Sequence, residues 1–215
     1  MPAALSDLYI ALVPELPGCP EGMLLEALRR GAREFCLKTE AWQIQLASIN
    51  LVADDPDYTL VLPTSYDAVE IRRIVEVRIN TAEGVTNGDE GVLQKPHTYF
   101  LTQPTTLEFF EDYTPSESIT SGLDVKVAVA PPVLTTTEHM DWAGFFTPWS
   151  HALVDFAKSY LMRMPGKKWS NAGMATFYLA EFNKTVTFVK AEVERRYTTR
   201  VPGIVAGAPQ RPSYT

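Results

Sequence analysis

Apolar positions follow one period near the start of the chain, a second through its middle, and the first again toward its end. From Met23 onward, Leu24, Leu25, Leu28, Ala32, Phe35 and Cys36 recur at steps of three and four, with Glu26, Arg29, Arg30, Arg33 and Glu34 between them. This spacing predicts an amphipathic helix with one buried face. Ahead of it, "SDLYIALVPEL" is expected to form a shorter helix that Ser6 caps and Pro14 limits. The turn "LPGCPEG" separates the two, and Pro20 is expected at the first helical position, where its missing N–H costs nothing.

After Glu40 the period becomes two. Trp42, Ile44 and Leu46 alternate with Gln43 and Gln45, the pattern of a strand with one wet face. "YTLVLP" follows the acidic turn "DDPD", and "VEIRRIVEVRI" sets Val69, Ile71, Val75, Val77 and Ile79 against Glu70, Arg72, Glu76 and Arg78. Asn87-Gly88 marks a tight turn within the long loop 81–95. "TYFL", "TLEFF" and "LDVKVAV" complete roughly six strands before Pro131-Pro132. The expectation is a mostly antiparallel β unit of about 90 residues.

Helical spacing returns at Trp149. Trp149, Leu153, Phe156, Tyr160 and Met164 form one stripe, and His151, Asp155 and Lys158 fall on the opposite face. A longer helix carries Met174, Tyr178, Phe182, Val186, Val189, Val193 and Tyr197 at steps of four, once three. Phe177 and Phe188 lie three turns apart on a second line, which points to a contact with the β unit or another subunit. The last segment, "TTRVPGIVAGAPQRPSYT", is rich in proline and glycine and is expected to be a disordered end or an arm that orders on a partner. The predicted class is α+β: N-terminal and C-terminal helix pairs packed as a helical bundle, an inserted, mostly antiparallel β unit, and an extended C-terminal arm. The corresponding segments are 1–40, 41–132, 133–197 and 198–215.

Between the last two helices lies "LMRMPGKKWSNAGM", whose Gly-Lys pair invites comparison with a phosphate-binding loop. That loop needs a glycine where Leu161 stands, a Ser or Thr where Lys168 stands, and a preceding strand. All three are missing. The reading that fits is a helix corner in which Pro165 and Gly166 stop one helix, Ser170 caps the next, and Trp169 staples to Met174.

Net charge is −7 and unevenly placed. Residues 1–140 carry 9 basic and 21 acidic side chains, and residues 141–215 carry 10 basic and 5 acidic. The basic groups Lys167, Lys168, Lys184, Lys190, Arg195, Arg196, Arg200 and Arg211 are spread over two helices and a tail, which reads as a solvated or subunit-facing surface. No membrane span and no cleaved leader are expected, and Cys19 and Cys36 are expected as reduced thiols. His151 and Asp155 share a helical face without further ligands, His97 and His139 stand alone, and no serine lies in a nucleophile elbow. No catalytic, cofactor or metal site is assigned, and the chain is not read as an enzyme.

The segments "LPGCPEGMLLEALRRGAREFCLKTEAW", "YTLVLPTSYDAVEIRRIVEV" and "HALVDFAKSYLMRMPGKKWSNAGMATFYLAEFNKTVTFVKAEVERR", in this order, resemble the head-to-tail adaptor (connector) proteins of tailed bacteriophages. The resemblance rests on packing and turn patterns at both ends and part of the middle. It implies a structural virion protein, made in the host cytoplasm, that forms a homo-oligomeric, twelve-fold ring at the head-tail interface. Its partners would be the portal protein and the next tail component, whether nozzle, tail terminator or tail tube, and DNA would pass without sequence-specific binding. Residues 198–215 would be the portal-docking arm, with Arg200, Val201, Ile204, Val205, Arg211 and Tyr214 in contact. Residues 41–132 would face the tail or a neighbouring subunit, and Phe177 and Phe188 would form a subunit contact. An acidic bulk suits a channel that does not grip the duplex, because phosphate contacts would create strong binding. Two other classes remain open: a cytosolic enzyme with a site assembled from scattered His and carboxylates, and a nucleic-acid-binding module using the basic C-terminal quarter.

Overall fold

Helix α1 runs from Glu21 to Thr39 and buries Leu24, Ala27, Leu28, Gly31, Ala32, Phe35 and Cys36. The computed structural model describes residues 8–64, 69–80, 91–103, 105–132 and 145–198, with side chains as far as Arg195. Pro20 stands one position earlier than expected, as the N-cap, where its carbonyl accepts the N–H groups of Met23 and Leu24 at 2.9 and 3.2 Å. At the other end Glu40 adopts a left-handed conformation, φ 51°, and donates its N–H to the Cys36 carbonyl. The shorter helix expected ahead of α1 is a single 3-10 turn, Tyr9–Ala11, and Ser6 lies outside the described residues. Its apolar residues still do their work, since Leu12 and Leu16 are fully buried.

Among the described residues eight strands form two antiparallel sheets, where roughly six strands are expected. The larger has the order β1-β8-β4-β5, with β2 also paired to β8; its strands are β1 Gln43–Gln45, β2 Ile49–Leu51, β4 Glu70–Ile79, β5 Val92–Leu93 and β8 Ile119–Ala130. The smaller has the order β3-β7-β6, from Asp57–Thr59, Thr106–Phe109 and Tyr99–Gln103. β2 and β5 escape a periodicity reading because they span only three and two residues. On β4, pairing with β8 skips Arg72 and Val75, so two bulges bring Ile71, Ile74 and Val77 to the core at steps of three. The expected strict alternation through Val75 and Ile79 is therefore replaced, and both of those residues are half-buried.

Helix α2, Ser150–Met162, packs against both α1 and α3, Ala172–Thr198. A helix covered on two sides needs more than one apolar stripe, and α2 buries Ala152, Leu153, Val154, Ala157, Leu161 and Met162. Lys158, expected on the wet face, is buried as well. Gly31 is where α1 and α2 approach most tightly: a Cβ there would stand 3.1 Å from Phe156 Cδ1 and 3.3 Å from the Leu153 carbonyl oxygen. Helices and larger sheet share one continuous core, joined by rings in which Phe146 packs edgewise on both Phe35 and Trp42.

The corner between α2 and α3 is a turn, with Gly166 at φ 72° as its left-handed residue. Its cap differs from the expectation. Asn171, not Ser170, precedes the first helical residue; Asn171 Oδ1 accepts the Met174 N–H at 3.1 Å, and its carbonyl accepts the Ala175 N–H at 2.9 Å. Ser170 is exposed. The shift by one residue removes the Trp169–Met174 staple register: Trp169 is buried in the core, while Met174 is exposed.

Candidate interaction surfaces

Helix α3 buries Ala175, Phe182, Val186 and Val189 on its inner face and half-buries Tyr178 and Val193; of the expected stripe, Met174 is instead exposed and the Tyr197 side chain lies outside the described residues. Its outer face carries the two off-stripe rings. Phe177 is 54% exposed and Phe188 63% exposed, and between them Glu181 and Lys184 form a loose surface ion pair at 3.6 Å. A phenylalanine left this wet gains only part of the burial its ring could have. Two of them three turns apart therefore mark a face available for contact.

A second apolar face lies on the smaller sheet. Tyr99 pairs with Phe109 and both turn inward, which leaves Phe100 on the outer side beside Phe110, ring centroids 4.9 Å apart. Tyr113 is exposed nearby in sequence and takes the His97 ring edgewise at 6.0 Å. Phe100 also lines a cleft of about 320 Å³ with Arg72, Arg73 and Tyr99. Arg73 is held by Glu40 at 2.8 Å and Arg72 lies 3.6 Å from Glu70. The signal for this face was present in "TYFL" and "EFF": a run without alternation must place one ring outside.

The principal buried charge sits between the N-terminal turn and the helices. Lys158, 8% exposed, donates to Glu15 Oε1 at 2.6 Å and lies over the Tyr178 ring at 4.8 Å, and the Tyr178 hydroxyl donates to Glu15 Oε2. Burial alone would raise the Glu15 carboxyl, but the hydrogen bonds from Lys158 and Tyr178 and the Lys158 charge outweigh it and hold the group below its ordinary value. The same hydrogen bond, with burial, pushes Tyr178 up to about 12. Asp155 is raised, first by burial, against the opposing pull of Lys158 and His151. Nothing local in sequence announces a pair 143 residues apart.

A polar cleft of about 420 Å³ crosses the outer side of the larger sheet, lined among others by Ser48, Glu76, Arg78, Asp124 and Lys126. Glu76 and Arg78 pair with each other, and Asp124 accepts Ser48 Oγ at 2.6 Å and Asn80 Nδ2 at 3.0 Å. Neither cleft is lined by a histidine. His151 is exposed on α2 and His139 lies outside the described residues. Among the described residues no group of three or more His, Cys, Asp or Glu is placed to hold a metal, and no helix is long and apolar enough to cross a membrane. Cys36 is in the core, where burial pushes its thiol up.

Of the residues singled out in the sequence, Phe177 and Phe188 are brought to one exposed face, and Pro165, Gly166, Trp169 and Ser170 to one corner. Arg200, Val201, Ile204, Val205, Arg211 and Tyr214 lie outside the described residues. Against known proteins, no family model matches the chain and no curated protein matches it in sequence.

Proposed function

We propose that the chain is a head-to-tail adaptor of a tailed bacteriophage, with helices α1, α2 and α3 acting as a bundle into which the β unit is inserted. Copies assemble as a twelve-fold ring between the portal and the next tail component, residues 198–215 dock on the portal, and DNA passes through the ring without being gripped. The reading places the protein at the head-tail interface of the virion and assigns it no catalytic step.

The observation that carries the reading is a subunit with two unlike apolar faces, Phe177 and Phe188 on α3 and Phe100 and Phe110 on the smaller sheet. A ring subunit needs two different surfaces, because heterologous contacts repeated about an axis close on themselves. The acidic excess of residues 1–140 adds to it, since such a surface repels phosphate.

The test is to look for a portal gene beside that of this chain and to measure association with its product, followed by native mass spectrometry and electron microscopy of the complex. The expected product is a portal bearing a ring of copies of this chain. Failure to bind any portal, together with duplex affinity that falls steeply as salt rises, would replace the adaptor by a nucleic-acid-binding module.

A further inference from the structure

The outer face of α3 has a pattern that goes beyond a pair of exposed rings. Met174, Phe177, Glu181, Lys184, Phe188 and Ala191 succeed one another at steps of three, four, three, four and three. That alternation is the seam of a two-helix coiled coil, in which residues 3.5 apart on average stay aligned with a facing helix. The buried stripe of the same helix, with Phe182, Val186 and Val189, occupies the opposite side, so α3 carries one seam for its own core and a second for solvent.

The second seam is palindromic in chemistry about a point midway between Phe182 and Asn183. Running a second α3 antiparallel across that point sets Phe177 against Phe188, Glu181 against Lys184, and Met174 against Ala191, each pair occurring twice. Aromatic meets aromatic, acid meets base, and a long side chain meets a methyl. With 1.5 Å of rise per residue, the two ring pairs lie about 16 Å apart along the axis, flanking the charges. Lys184 is 78% exposed and bound to Glu181 of its own helix only at 3.6 Å, so trading that contact for one across the interface costs little.

We propose that this face binds a second copy of the chain through an antiparallel, two-fold pairing of α3 helices. An unrelated partner would require an apolar patch but no such register, whereas self-pairing requires every residue to suit the one that symmetry places opposite it. An isologous contact closes at two copies. In the free protein the dimer would cover Phe177 and Phe188 and withhold that face from further assembly, and a ring contact through the same rings would have to displace it. One helix pair is at the low end of specific interface sizes, which fits a reversible dimer. The inference does not rest on the adaptor reading.

Sedimentation velocity of the full chain over a wide concentration range tests it. The wild-type protein is expected to show a reversible monomer–dimer equilibrium. Lys184→Glu and Glu181→Lys each set like charges opposite one another twice, and each should raise the dissociation constant about tenfold or more. An equimolar mixture of the two variants restores acid opposite base at both positions and should dimerise again. Lys184 is exposed and Glu181 half-buried, and unchanged melting temperatures will show that folding is intact. A wild-type chain that stays monomeric, variants that dimerise as the wild type does, or a mixture that remains monomeric would each overturn the proposal. Portal association is measured separately, so loss of one result leaves the other standing.

Discussion

Lys158 is a charge the fold has taken out of water, and what keeps it there is Glu15. A buried ammonium is tolerable when a carboxylate and an aromatic face receive it, and breaking such a pair costs more than never having it. Glu15→Ala is expected to lower stability by about 1–2 kcal/mol, less than for a fully buried pair because the Glu15 side chain is 40% exposed. Lys158→Met should cost less than Glu15→Ala, since it removes the charge along with its need for a partner. The pH dependence follows from the direction of the shift. Because the folded Glu15 carboxyl sits below its ordinary 4.5, its contribution is fully present above that value and is lost as pH falls through the lower folded value. Thermal melts of wild type and Glu15→Gln between pH 7 and pH 3 should converge at the acid end. A gap that is constant across the range would remove the ion pair as its cause.

At the scale of elements, the crossing of α1 and α2 depends on having no side chain at Gly31. Glycine in a helix interior costs about 1 kcal/mol relative to alanine, so its presence there needs a reason, and the ring of Phe156 and the carbonyl of Leu153 supply it. Gly31→Val would push a branched side chain into atoms already within 3.3 Å and should destabilise by about 2 kcal/mol or more. Gly31→Ala should fall between the two, because the propensity gain opposes the crowding. Chemical denaturation of the three proteins gives the order directly, and a Val variant as stable as wild type would deny the close approach. The legibility of the elements follows the same logic. α1, α3 and the alternation at Trp42, Ile44 and Leu46 were readable because each has one dominant buried face. α2 departs from a single stripe because it is covered on two sides, and β4 from strict alternation because two bulges replace period two by steps of three, which only the partner strand reveals. The cap at Asn171 shows how narrow such readings are: Ser170 and Asn171 are both good caps, and only the Met174 N–H distinguishes them.

At the scale of the whole molecule, charge is divided along the chain: residues 1–140 carry the acidic excess and residues 141–215 the basic one, although the net charge is −7. Among the described residues the core runs from Leu12 to Val189, and residues 198–215, rich in proline and glycine, have the composition of an arm. Folding and docking should therefore be separable. Deleting residues 199–215 removes Arg200 and Arg211 together with Val201, Ile204, Val205 and Tyr214. The truncated chain is expected to keep the melting temperature and far-ultraviolet spectrum of the full chain. If the segment is the portal-docking arm, the same truncation should abolish co-sedimentation with the portal, because the apolar and cationic groups proposed to meet it are all in those residues. The charge of the arm gives a further distinction. Replacing Arg200 and Arg211 by Gln should weaken docking in a way that added salt mimics, whereas replacing Val201, Ile204 and Val205 by Ser should weaken it at every ionic strength. A truncated chain that still docks would move the portal contact onto the folded body, where the exposed rings of α3 and of the smaller sheet would be the next faces to substitute.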